Sequence, residues 1–427
     1  MVSWRDGVRR APFASGLAAI SAVALAIRVA YVVTFADRLQ VGLDSIWYQL
    51  VSGSIVGNAG FVDPEKLYLH GISVPTAFRP PLYPLFLAGV AKGGADTTRA
   101  FQYAGCVMGV VTVVLIGFIG RRVGGNAVGL CAAALAAGYP IFLAVDAAVM
   151  SETLYVPLVA GSVLAVYRAM ERPTAWRWAF VGLLGGAGIL TRGDGLVLLL
   201  VLVVPAALLG IRAPWQRRVF LAAAALVVAG LVVAPWVIRN QRRLGVATVA
   251  TLQTGTALAG ANCDDTYYGH ILGSWSFDCT DRPNRDTISE VAYNNDLQHD
   301  GTKYITDHTK RLVVVVPVRI LRQWSLYAPI QGASIESAES RNYKWQVVSW
   351  LAYLPVALLA VYGLVLLRRR RVQMLPLVAV IVTVTLTAAM IYGQQRLRVS
   401  VEPVLIVAAA VAIVHIAERL RGVKRST

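Results

Sequence analysis

Apolar residues in this chain come in long unbroken runs, separated by short Arg-rich or Pro/Gly-rich breaks. A helix that crosses a bilayer needs about 20 predominantly apolar residues, and runs of that kind follow one another. The pattern predicts an all-α integral membrane protein, a polytopic bundle of about ten transmembrane helices. The spans are read at Ala14 to Phe35, Arg99 to Gly120, Ala127 to Val145, Glu152 to Met170, Trp178 to Leu190, Leu196 to Ile211, Phe220 to Ile238, Val347 to Leu367, Met374 to Tyr392 and Val399 to Ile416. The run from Phe13 to Phe35 is too long for a signal-peptide core and has no convincing small-residue cleavage site, so it reads as a retained anchor.

Two stretches break the pattern. Residues 36–98 hold an Asp-Trp-Tyr cluster and then Arg79-Pro80-Pro81-Leu82-Tyr83-Pro84. Their apolar piece Leu82 to Val90 is too short to cross and is expected to lie as a helix in the interface. Residues 239–345 are rich in Asn, Asp, Gly and Tyr, and read as a small folded external insertion with Trp275, Phe277, Trp324 and Tyr327 as its core. The chain thus divides into a core at 1–238 that includes the first external loop, the insertion at 239–345, and C-terminal spans with a basic tail at 346–427. No internal repeat or low-complexity tract is visible.

Composition agrees: 57% of the 427 residues are apolar and 15% charged, with a mean hydropathy of +0.60. The formal net charge of +17 would suggest nucleic acid in a soluble protein, so the placement of the basic residues has to decide. They gather at alternate breaks: Arg5, Arg9 and Arg10, then Arg121 and Arg122, Arg168 with Arg172 and Arg177, Arg212 with Arg217 and Arg218, Arg368 to Arg371, and Arg419 to Arg425. This is the positive-inside pattern. It puts both termini in the cytoplasm of a cytoplasmic-membrane protein, puts the polar loops outside, and leaves no case for nucleic acid.

On the outer side stand the residues fit for chemistry. Asp44, in Gly42-Leu43-Asp44-Ser45-Ile46-Trp47-Tyr48, lies just beyond the first span. A carboxylate at the membrane surface, partly walled by Trp47 and Tyr48, suits a general base with a tuned pKa; simple solvation is the plain alternative. Asp146 and Glu152 bracket the turn between the third and fourth spans, where ionisable groups at membrane depth serve function or pairing. Capping is the alternative there, with Ser151 as the cap and Glu152 at the positive helix end. Outer-facing arginines form a third set: Arg79, Arg192, Arg239, Arg242, Arg243, Arg396 and Arg398. Guanidinium forks suit phosphate oxygens, although some will only meet lipid headgroups. Arg396 and Arg398 are the preferred phosphate ligands, because the positive-inside rule does not account for two arginines at the outer end of a span.

Metal chemistry finds no motif: Asp264-Asp265 is the one adjacent acidic pair, and His270, His299 and His308 lie at no ligand spacing. A divalent cation is thus unsupported, and no Gly-rich phosphate loop or nucleophile elbow occurs. Cys106 and Cys131 sit in apolar runs. Cys263 and Cys279 share the outer insertion, where they form a disulfide in an oxidising compartment or stay free thiols.

Taken in order, several pieces resemble the GT-C glycosyltransferases, in the branch similar to protein O-mannosyltransferases and the aminoarabinose transferase of lipid A. They are the loop with Asp44, Phe78-Arg79-Pro80-Pro81-Leu82-Tyr83-Pro84-Leu85, Ser151-Glu152-Thr153-Leu154, Leu190-Thr191-Arg192, Pro235-Trp236-Val237-Ile238-Arg239-Asn240, and Arg396-Leu397-Arg398-Val399-Ser400-Val401-Glu402-Pro403. The resemblance implies inverting transfer of a sugar from a polyprenyl-phosphate donor to an acceptor hydroxyl on a glycan, lipid or protein. Asp44 would be the base, with Asp146 and Glu152 as further acids. Trp47, Tyr48, Arg79, Tyr83, Arg192, Arg239, Arg396 and Arg398 would hold substrate. Ser45 stands where many relatives carry a second acid, and the large C-terminal soluble domain of some relatives is missing. A secondary transporter and a non-catalytic polyprenyl-lipid-binding envelope protein are the rival readings. The lack of a repeat and the gathering of polar residues on one side favour surface chemistry, and the retained Asp44 favours catalysis.

Overall fold

The computed structural model of the chain describes residues 4–35, 42–283, 288–339 and 341–425, with side chains from Phe13 to Gly422. The first loop's residues 36–41 and the side chains of Arg5, Arg9, Arg10, Lys424 and Arg425 lie outside that description.

α1 (Trp4–Phe35) is the first span and packs along α5. Between them come α2 (Leu43–Val56), α3 (Pro64–His70) and α4 (Leu82–Lys92), the last being the short apolar helix expected at the interface. α5 (Thr98–Ala137) holds the second predicted span and most of the third. It reverses at Gly125, whose φ of 85° and ψ of −176° suit glycine. Small residues let the two arms touch: a Cβ on Gly129 would stand 2.6 Å from the Gly117 carbonyl oxygen. After a break at Gly138 and Tyr139 the third span runs on as α6 (Pro140–Ala147).

α7 (Glu152–Glu171) and α8 (Ala175–Thr191) follow. The next span is irregular: α9 (Gly195–Leu198), a π turn over Leu199–Val203 and α10 (Val204–Leu209). Pro205 lacks the N–H that would close the regular turn, which accounts for the slip in register. α11 (Trp215–Leu244) packs on α8.

The insertion is helical. It contains α12 (Thr254–Ala261), α13 (Asp264–Tyr267), α14 (Glu290–Asp307), α15 (Leu312–Gln323) and α16 (Pro329–Ser337). Cys263 and Cys279 are joined in a disulfide. Its core differs from the expected aromatic quartet: Tyr267 and Leu297 are fully buried, while Phe277 and Tyr327 are exposed. Trp275 does lie against Gly260 and donates to the Thr256 carbonyl at 3.0 Å. Trp324 belongs elsewhere, packed against the main membrane core.

α17 (Tyr343–Arg369), α18 (Leu375–Met390), the short α19 (Gln395–Arg398) and α20 (Glu402–Arg425) complete the chain. α20 lies against α5 and α17 and is the central helix. Every residue from Val404 to Ala412 is buried, as befits a run apolar on all sides. Among the described residues, six helices are long and apolar enough to cross a membrane, and the segments Gly195–Leu209 and Leu375–Met390 are shorter apolar ones. The chain is a multi-pass membrane protein whose helices coincide with the predicted apolar runs, although six and not ten of the described helices reach full membrane length. Arg-rich turns meet at one end of the bundle, where Tyr167 donates to the Gln373 carbonyl at 2.8 Å and Arg217 to the Pro173 carbonyl at 3.0 Å.

Candidate functional site

At the other end, five segments bring charged side chains into one row. Asp44 sits in the first turn of α2. Arg79 donates to its Oδ1, and Nη1 of Arg396, from α19, lies 3.4 Å from its Oδ2. Burial of Asp44 favours the neutral acid, but the guanidinium groups of Arg79 and Arg396 outweigh it and hold the carboxyl below its ordinary range. The row continues with Glu152 at the start of α7. Its Oε1 lies 3.9 Å from Nε of Arg396 and accepts from Arg192 at 2.9 Å. Arg192 also pairs with Asp194 at 3.1 Å, within the turn after α8. Cations and anions therefore alternate from Arg79 through Asp44, Arg396, Glu152 and Arg192 to Asp194.

Each member is held from behind. The Arg79 guanidinium lies over the rings of Trp47, Tyr48 and Phe78, at 5.5, 5.2 and 5.4 Å from their centroids. Tyr48 meets Tyr83 edge-on at 4.9 Å, which fastens α2 to α4. The strand-like strap before Arg79 is pinned along its backbone: Arg239 donates to the Thr76 and Phe61 carbonyls at 2.7 and 2.6 Å, and Leu252 N–H to the Ala77 carbonyl at 2.8 Å. Glu290, at the start of α14, accepts from the Thr76 hydroxyl at 2.5 Å and from Ala77 N–H at 2.9 Å. The insertion thus holds the segment that presents Arg79.

Acids from the insertion also face Arg396. Glu339 pairs with it at 3.0 Å, and Glu336 accepts its backbone N–H. Glu336 itself is buried and carries Arg341 at 3.0 Å and Gln346 at 2.6 Å.

Of the residues singled out in the sequence, Asp44, Trp47, Tyr48, Arg79, Tyr83, Glu152, Arg192 and Arg396 meet at this row or directly behind it. The others are placed differently. Asp146 pairs with Arg28 of α1 at 2.7 Å, and Arg28 also donates to the Ala137 carbonyl at 3.0 Å; both side chains are buried between helices. Arg398 is enclosed, donating to Glu402 at 2.7 Å and to the Ser325 hydroxyl, with Tyr353 against its guanidinium. At 1% exposure it stands apart from the row that Arg396 joins. Arg239 is spent on backbone carbonyls, and Arg242 and Arg243 are exposed. Ser151 precedes α7 but makes no capping hydrogen bond. Sequence reasoning did not single out Arg28, Asp194, Glu290, Glu336 or Glu339. For Arg28 the signal was present, a lone charge in the middle of an apolar run.

Residues 78–238 match the family model described as dolichyl-phosphate-mannose-protein mannosyltransferase. No curated protein matches the chain. Among solved structures it resembles the archaeal oligosaccharyltransferase AglB from Archaeoglobus fulgidus in complex with an inhibitory peptide and a dolichol-phosphate, with 15% identity, a TM-score of 0.58, and coverage of 100% of this chain and 52% of that one. The apo form of the Archaeoglobus fulgidus oligosaccharyltransferase gives 12% identity, a TM-score of 0.58, and coverage of 97% and 52%. ArnT from Cupriavidus metallidurans bound to undecaprenyl phosphate gives 13% identity, a TM-score of 0.46, and coverage of 93% and 77%. The chain spans about half the length of the oligosaccharyltransferases it matches. The chain shares the membrane fold of these oligosaccharyltransferases.

Proposed function

We propose that this chain is a GT-C membrane glycosyltransferase that moves a sugar from a polyprenyl-phosphate donor to an acceptor hydroxyl, with inversion, at the outer face of the cytoplasmic membrane. The observation that carries the reading is Asp44 held between Arg79 and Arg396 at the end of the bundle opposite the Arg-rich turns. Positive-inside placement of those turns supports an outward-facing site. The family match over 78–238, which begins at the strap carrying Arg79, supports a lipid-phosphate sugar donor.

The chemistry follows from the charges. A donor diester carries one negative charge, and its phosphate competes with Asp44 and Glu339 for Arg396. As Arg396 turns to the phosphate, Oδ2 of Asp44 is freed to accept the acceptor hydroxyl's proton. That oxygen attacks the anomeric carbon from the face opposite the phosphate, the carbon–oxygen bond to phosphate breaks, and its electron pair leaves with the polyprenyl phosphate. The leaving group thereby gains a second negative charge, which Arg396 and Arg192 stabilise. Glu152 orients both arginines and acts as a positioning residue. Phosphate leaves readily, so one base and cationic stabilisation suffice. Residues 239–345 bind the acceptor. Arg28 with Asp146, and Arg398 with Glu402, fix the helices around the site.

Mass spectrometry of envelope lipids and glycans from cells with and without the protein tests this reading. A glycoform that disappears with the protein supports it, and identical glycan and lipid-sugar profiles oppose it.

A further inference from the structure

The polarity of α15 is inside out. Its buried face carries Arg319 and Arg322, and its outer face carries Val313 at 78% exposure, Val314 at 40% and Leu321 at 38%. Arg319 donates to the Ala261 carbonyl at 2.6 Å and to Asn262 at 2.8 Å, and Arg322 donates to Gln331 at 2.6 Å. The cations hold the insertion together, while Val313, Pro317 and Leu321 recur every fourth residue along an apolar stripe that faces away from the protein. Leu326 and Ile330, at 65% and 46% exposure, extend it into the following turn.

The position of the helix says what meets that stripe. α15 packs against α18, a helix of the membrane bundle. Trp324, at its C-terminal end, donates to the Thr385 hydroxyl at 3.3 Å. Thr385 lies more than a turn inside the Met390 end of α18, about 7 Å below it at the α-helical rise. α18 shows its own stripe of exposed Val378, Val382, Leu386 and Met390. At the opposite end of α15, Lys310 is exposed, where a basic side chain reaches headgroups.

We infer that α15 and the turn 324–330 are immersed in the outer leaflet, with the stripe Val313, Pro317, Leu321 and Leu326 against lipid acyl chains. The insertion is therefore a re-entrant element, anchored in the bilayer beside the site. Two contacts link this anchor to α19, the short helix that carries Arg396: Gln323 accepts from Gln394 N–H at 3.1 Å, and Ser325 accepts from Arg398.

The test is independent of sugar transfer. Variants with one free thiol, Val313→Cys, Leu321→Cys and Leu326→Cys, are made with Cys106 and Cys131 replaced by Ala and the Cys263–Cys279 disulfide kept, labelled with bimane, and reconstituted in phosphatidylcholine nanodiscs. Val382→Cys serves as the bilayer control and His299→Cys, on exposed α14, as the aqueous control. The stripe positions should be quenched several-fold more by doxyl-labelled acyl chains than His299, matching Val382, and should resist aqueous iodide. Iodide quenching like that of His299 overturns the inference. Protection from both quenchers, which would mean a protein partner or a second copy covers the stripe, overturns it equally.

Discussion

Asp44 and Arg396 are separated by 352 positions in sequence, yet the Arg396 guanidinium lies 3.4 Å from the Asp44 carboxylate. The contact joins the segment after the first span to the segment before the last, and everything proposed for this site passes through it. In the mechanism proposed above, it leaves the proposed base partly neutralised until the anionic donor draws Arg396 away.

The first expectation concerns pH. Arg79 and Arg396 depress the Asp44 carboxyl, so Asp44 is charged at neutral pH, and its pairing energy is lost only as pH falls through that lowered value. Arg396→Gln removes one of the two depressing charges. The acid limb of kcat/KM for residual transfer should therefore move to higher pH in this variant. An acid limb that stays in place assigns that limb to another group.

Glu290 offers a test of the strap. Glu290→Ala leaves the Ala77 N–H and the Thr76 hydroxyl without their acceptor, a local cost of about 1–3 kcal/mol for a buried donor. Loosening of Arg79 should lower kcat, and Glu290→Gln, which keeps an acceptor oxygen, should recover most of the loss. Equal kcat in Glu290→Ala and the parent would uncouple the insertion from the site.

The helices were legible because apolar runs of membrane length announce themselves, and the Arg-rich turns because they gather at alternate breaks. Asp44, Arg79, Glu152, Arg192 and Arg396 could be picked out because each is an ionisable residue beside a helix end, away from the Arg-rich turns. Sorting them was not possible from sequence alone. Asp146 and Glu152 stand six positions apart around one turn, yet one faces Arg28 inside the bundle and the other faces Arg192. Arg396 and Arg398 differ by two positions, which on a short helix turns one toward Asp44 and the other toward Glu402. Which partner a charge meets depends on helix rotation and on segments hundreds of residues away. Glu290, Glu336 and Glu339 were hidden among the many polar residues of an insertion with no periodic signal.

Arg28 and Asp146 should behave as a structural pair. Asp146→Ala strands a buried guanidinium, for which about 3–5 kcal/mol of destabilisation is typical. Its melting temperature in detergent should fall well below that of Glu152→Gln. The double variant Arg28→Met with Asp146→Leu, which removes both charges, should regain most of the loss. Failure of the double variant to recover would mean that the pair does more than satisfy itself.

The disulfide closes a loop with a sequence separation of 16. Cross-links across loops of about 15 residues contribute about 3 kcal/mol through the unfolded state. Cys263→Ser with Cys279→Ser should speed proteolysis of the insertion while leaving the membrane helices protected. Equal cleavage rates in the variant and the parent would contradict that.

The central claim is that Asp44 takes the proton, and the variant Asp44→Asn tests it most directly. Purified protein is given a polyprenyl-phosphate sugar with an acceptor, and release of polyprenyl phosphate is followed over time. The account expects Asp44→Asn to remain folded, to bind the lipid-linked donor, and to lose transfer by orders of magnitude. Turnover at the parent rate in that variant would contradict it.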